Sequence, residues 1–111
     1  MEKLSAYQAC IRSLLQKHAA YKPKNIAVES QIIFDTENDH YLLLDIGWDK
    51  ERFFHDCVFH LDIKDGKIWI QQNWTDADIA SELVEMGVPK SDIVIGFQPP
   101  HARAYTGYAV A

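Results

Sequence analysis

Apolar residues recur every three or four positions at the start of this chain and every second position through most of the middle. Leu4, Tyr7, Ile11, Leu14, Leu15 and His18 share one helical face, which predicts an amphipathic helix from about Lys3 to Ala20. Pro23 closes it, because the residue before a proline is steered out of the α region. From Ile26 to Phe34 the period drops to two, with Ile26, Val28, Ile32 and Phe34 on one side, and DTENDH then forms a loop. Tyr41–Trp48 is a second strand, with Leu42, Leu44, Ile46 and Trp48 on its more apolar side. Phe53–Ile63 and Lys67–Asn73 are the third and fourth, completing an antiparallel meander.

The firmest local signal is Asp65-Gly66, set between alternating apolar runs. A two-residue type I′ turn needs φ > 0 at both central positions, and Asp-Gly is a preferred pair for it. Counting outward, Ile63 faces Ile68, Leu61 faces Ile70 and Phe59 faces Gln72 on a core side. Asp62 faces Trp69, His60 faces Gln71 and Val58 faces Asn73 on the other. Phe34, Trp48, Phe53 and Phe59 are assigned to the core side. The opposite face collects Glu29, Gln31, Ile33, Tyr41, Leu43, Asp45, Phe54, Asp56, Val58, His60, Asp62, Trp69 and Gln71. Aromatic anchors among polar groups are the composition of a protein interface.

Beyond the meander, Thr75 followed by Asp78 has the form of a capping box opening a second helix. Ile79, Leu83 and Met86 share its inner face and Gly87 supplies the residue after its end. Ile93–Phe97 is a short fifth strand stopped by Pro99-Pro100. The terminal segment with Tyr105, Tyr108 and Val110 is apolar enough that it should dock rather than hang free. The whole reads as one two-layer α+β domain with helices on one side of the sheet.

The same blocks carry a family resemblance. DIKDGKIWIQQ (62–72), TDADIASEL (75–83), GVPKSDIVIGF (87–97) and ARAYTGYAVA (102–111) closely resemble the XisI family, the fdxN element excision controlling factors of cyanobacteria. The resemblance runs over essentially the whole chain and implies a single XisI-like domain over residues 1–111. It further implies an accessory role in excising a DNA element, beside a site-specific recombinase and a companion XisH-type protein. It brings no catalytic motif.

Charge bears on that role. Sixteen acidic against eleven basic residues give a net charge of −5, so the bulk field repels a phosphate backbone. Direct contact with nucleic acid is therefore not expected. The alternative, a DNA-binding cofactor of the recombinase, would have to use Lys17, Lys22 and Lys24, the one tight basic group, placed where macrodipole complementarity already accounts for cations. Cys10 and Cys57 are expected to be reduced and buried in a cytoplasmic protein, and no apolar run reaches membrane-spanning length.

Candidate chemistry is thin. His55 and Cys57 project to one side of the third strand and His60 to the other, so H-x-C-x-x-H cannot converge on zinc unless a bulge intervenes. His40 is expected in a loop. Asp45 with Asp62-Ile63-Lys64 has the outline of a metal-dependent nuclease, but Lys64 flanks a tight turn and Asp62 is what a solvated strand position carries. No nucleophile elbow, phosphate loop or zinc-protease helix occurs. No enzyme activity, cofactor or metal is thus expected. The surface predicted to meet a partner, or a second copy in a homodimer, comprises Phe54, Val58, Trp69, Gln71, Tyr105 and Tyr108, with Phe54, Val58 and Trp69 forming one patch.

Overall fold

The computed structural model describes residues 3–21 and 27–111. Helix α1 (Lys3–Ala19) is followed by strands β1 (Ala27–Asp35), β2 (His40–Asp49), β3 (Arg52–Lys64) and β4 (Lys67–Asn73), helix α2 (Ile79–Glu85) and strand β5 (Ile93–Ile95). The strands lie in chain order in one sheet. The first four pair antiparallel, as the alternation predicts. β5 joins β4 in parallel, which a hairpin cannot achieve, so α2 serves as the crossover.

The turn after β3 is the one the sequence specifies: Asp65 and Gly66 take φ of 52° and 76° between the paired Lys64 and Lys67. Ile63 faces Ile68, Asp62 faces Trp69 and Leu61 faces Ile70. Beyond that point the predicted pairing fails. His60 lies opposite Gln72 and Phe59 opposite Asn73, so Gln71 is an extra residue in β4. A second irregularity separates Leu43↔Phe59 from Leu44↔Cys57, which makes Val58 an extra residue in β3. A bulge sets two residues against one and shifts which side chains share a face.

These bulges and the apolar character of β2 on both its sides overturn several face assignments. Tyr41 and Leu43, placed on the polar side by alternation, are core residues at 0% and 2% exposure. Tyr41 can sit there because its hydroxyl donates to Asp39 Oδ1 at 2.7 Å and accepts from Gln8 Nε2 at 3.1 Å. Trp48 and Phe53, assigned to the core, are each 52% exposed. The pairing Leu43↔Phe59 and Gly47↔Phe54 puts Phe54 on the helix side of the sheet, together with Asp45 and Val58. Cys57, Leu44, His60 and Leu42 share the opposite side.

The core packs Tyr7, Ile11, Leu14 and Leu15 of α1, with Ile79 and Leu83 of α2, against Phe59, Leu61, Ile68 and Ile70. Leu4 and Met86, predicted for the inner helix faces, are 40% and 37% exposed. α2 starts later than the Thr75 box implies: Asp78 is the N-cap, accepting from the Ser81 amide, while Thr75 engages Asn73 and the Ala77 amide. Gly87 follows the helix end with φ 106°. Cys10 and Cys57 are free but half-buried rather than buried. The terminal segment docks as expected. Its Ala109 amide donates to the Ile93 carbonyl at 2.8 Å, and Ala109 bridges Val94 in parallel. Lys22, Pro23, Lys24 and Ile26 lie outside the described residues.

Candidate functional site

Both helices lie on one side of the sheet, so the other side of β1–β3 is open. At one end of it Trp48 and Phe53, directly paired across the β2–β3 ladder, hold their rings 5.1 Å apart. Ile33 is 43% exposed on the same side, and Leu42, Leu44 and Ile46 are partly covered. Paired aromatics at strand ends form a firm ledge, since cross-strand contact limits the rotamers of both.

At the other end of the open side, β2, β3 and β4 bring four polar side chains together. Asp62 stands opposite His40 on one flank and Trp69 on the other, and His60, two residues earlier, projects the same way. His40 Nδ1 lies 2.7 Å and His60 Nε2 2.9 Å from the same Asp62 oxygen, Oδ1. Gln71 Nε2 donates to Oδ2 at 3.2 Å. Gln71 stands on this side by plain alternation from Trp69, and the bulge sets Gln72, rather than Gln71, opposite His60. Asp62 is 7% exposed and is the one charged residue in the buried class among the described residues. Burial pushes its carboxyl up, but hydrogen bonds from His40, His60 and Gln71, with the charge of His60, outweigh that and hold it below the usual carboxylate range. The His40 imidazole is raised, first by its hydrogen bond to Asp62. The donor atoms of His40, His60 and Asp62 all lie within 4.8 Å of one another. Beside them the Trp69 ring carries the Lys64 ammonium at 4.2 Å and the Arg103 guanidinium at 5.2 Å.

The predicted site residues are dispersed. Phe54 and Val58 line a hollow on the helix side with Asp45, Asp56 and Trp74. Trp69 and Gln71 lie on the other side, by Asp62, so Phe54, Val58 and Trp69 do not form one patch. Tyr105 is 90% exposed in the 3₁₀ turn Pro100–Tyr105, and Tyr108 packs partly onto the core. The nuclease outline is broken as well: Asp45 accepts from Ser30 Oγ at 2.7 Å on the helix side, across the sheet from Asp62. Lys17 is paired with Glu82 at 3.0 Å. His40, expected in a loop, opens β2. The alternating His60-x-Asp62 was readable as a same-face pair; His40 joins them only through the β2–β3 register.

A protein-family model described as XisI protein matches residues 1–110. The chain belongs to the XisI family. Two solved structures from Anabaena variabilis share the fold. A XisI-like protein is 49% identical over 97% of this chain and 99% of its own, with a TM-score of 0.89. The fdxN element excision controlling factor XisI is 32% identical over 99% of this chain and 100% of its own, with a TM-score of 0.83. Among curated proteins no relative matches.

Proposed function

We propose that this XisI-family chain takes part in controlling excision of a DNA element without catalysing a reaction, by docking a protein partner on the open side of its sheet. Family membership supports the process, and the observation that carries the docking surface is the exposed Trp48–Phe53 ledge beside Ile33. Large half-exposed aromatics ringed by polar positions such as Glu29 and Gln31 are the make-up of interface anchors. Covering the exposed halves of the two rings would contribute about 2–3 kcal/mol together. The partner is a XisH-type companion protein, and the site-specific recombinase is reached through it.

Co-expression with such a companion tests the reading. The two chains should co-elute in size-exclusion chromatography, and Trp48→Asp should weaken the complex at least tenfold while leaving the melting temperature nearly unchanged. Failure to associate at micromolar concentrations, or a complex indifferent to both Trp48→Asp and Phe53→Asp, refutes it. A wild-type homodimer that Trp48→Asp dissociates would assign the ledge to a second copy instead.

A further inference from the structure

We propose that His40, His60 and Asp62 form a binding site for a zinc-class divalent cation on the open side of the sheet. The site is separate from the Trp48–Phe53 ledge and stands whether or not that ledge docks a partner.

The first support is the donor set. Two imidazoles and a carboxylate are a recurrent three-ligand combination for zinc and its first-row neighbours, leaving an outer position for water or another donor. The three donor atoms already converge, all within 4.8 Å of one another. Bonds of roughly 2.0–2.1 Å in tetrahedral geometry put ligand atoms roughly 3.3 Å apart. The observed separations of 2.7 and 2.9 Å from Asp62 Oδ1 are those of the bare, hydrogen-bonded cluster, and side-chain rotation of about half an ångström opens them to that value.

The second support is the framework. His40 and Asp62 are direct cross-strand partners, and His60 is on the same strand two residues away, so all three stand on paired backbone rather than on loops. Gln71 Nε2 holds Asp62 Oδ2 and so turns Oδ1 toward the imidazoles, the arrangement by which an outer hydrogen bond orients a metal-binding carboxylate.

The third is the balance of burial and access. Asp62 has a side chain only 9% exposed, whereas those of His40 and His60 are 53% and 34% exposed. An anion is thus held at the floor, with the imidazoles forming a rim that solvent and a cation can reach. Without metal, each imidazole must commit a ring N–H to the same carboxylate oxygen. A cation takes the place of those two N–H groups: each ring binds it through the nitrogen that faced Asp62 and keeps its one remaining proton on the other ring nitrogen, so a proton is released only from a ring that was doubly protonated.

The test uses the full chain, free of any histidine tag and stripped with chelator. Co²⁺ titration is followed by visible absorption and Zn²⁺ titration by calorimetry. The expected result is one equivalent per chain with micromolar affinity and a melting temperature that rises with added Zn²⁺. His40→Ala and His60→Gln should each weaken binding at least tenfold, and Gln71→Leu several-fold, with His55→Ala unaffected. Asp62→Asn should abolish binding; if that variant fails to fold, the half-exposed His40 carries the test. Absence of saturable binding, binding that survives His40→Ala combined with His60→Gln, or loss of binding in His55→Ala overturns the proposal.

Discussion

Replacing Tyr7 with phenylalanine deletes one oxygen at the seam between α1 and the turn that leads into β5, and its consequences can be worked from the surroundings. Tyr7 is 7% exposed, and its hydroxyl donates to Asp92 Oδ2. Asp92 is also paired with Lys3 at 3.0 Å, whose side chain is 52% exposed, and feels the charge of Lys67. A hydrogen bond to a charged group is worth about 1.5–3 kcal/mol, and an exposed ion pair at most about 1. Asp92 is only 17% exposed and rehydrates incompletely, so Tyr7→Phe should cost ~2 kcal/mol, equivalent to a fall in Tm of roughly 6–10 °C for a domain of this size. The loss should also depend on pH. Burial and then the Asp92 hydrogen bond push the Tyr7 phenol from 10.0 up to about 12. A raised folded value contributes stability that is complete below pH 10 and disappears as pH rises through about 12. Asp92 is held below 3.8, chiefly by the same hydrogen bond, so its contribution is present above that value and lost as pH falls through the depressed one. Urea unfolding at neutral, acid and alkaline pH should therefore show the largest gap between wild type and Tyr7→Phe near neutrality, narrowing at both extremes. Tyr41, also raised to about 12, keeps an alkaline limb in both proteins. A variant within about 0.5 kcal/mol of wild type, or a gap constant across pH, would refute the reasoning.

Three further outcomes follow from backbone geometry and from the helix–helix seam. Gly66→Ala places a side chain at φ 76° and should cost about 1 kcal/mol, read as a lower urea midpoint with unchanged slope. Gly47→Ala would set a Cβ 1.9 Å from the Ala27 carbonyl oxygen, so β1 must move. Amide exchange should accelerate in β1 and its β2 partners while β4 stays protected, and unaltered exchange would contradict the contact. Glu82→Gln weakens the tie from α2 to Lys17 and His18 and should cost about 1 kcal/mol at neutral pH. Burial raises the Glu82 carboxyl, but its partners outweigh this and lower it below 4.5. The gap should therefore close as acid protonates the wild-type residue, and thermal melts across acid pH would show it.

The sequence made the hairpin legible because Asp65-Gly66 specifies both the turn and the pairing nearest to it; Ile63, Asp62 and Leu61 found their partners by counting alone. Counting stopped working at the bulges, which leave no mark in the residues that make them. Gln71 and Gln72 are identical, so either could face His60, and Val58-Phe59 offers two adjacent apolar side chains for one inward position. β2 was hidden for a related reason: Tyr41-Leu42-Leu43-Leu44 is apolar on both sides, and a period of two cannot choose between them. The cation cluster was half visible, as His60 and Asp62 share a side by alternation. His40 enters it through tertiary pairing with Asp62, which no local pattern announces.

The bulge at Val58 also sets β3 out of phase with itself. From Phe59 onward the strand's inward residues keep step with a core that α1 covers; before Val58, the residues keep step with a stretch of sheet open to solvent on one side and hollow on the other. Were Val58 taken into the ladder without a bulge, the result would be a frameshift in space: Arg52 to Cys57 would all exchange sides, sending Phe53 into the hollow and Phe54 out beside Trp48, while Phe59, Leu61 and Ile63 stayed where they are. The inserted residue thus lets the two halves of one strand answer to different demands, so that the outer half is free to vary with whatever it meets while the inner half remains tied to the fold.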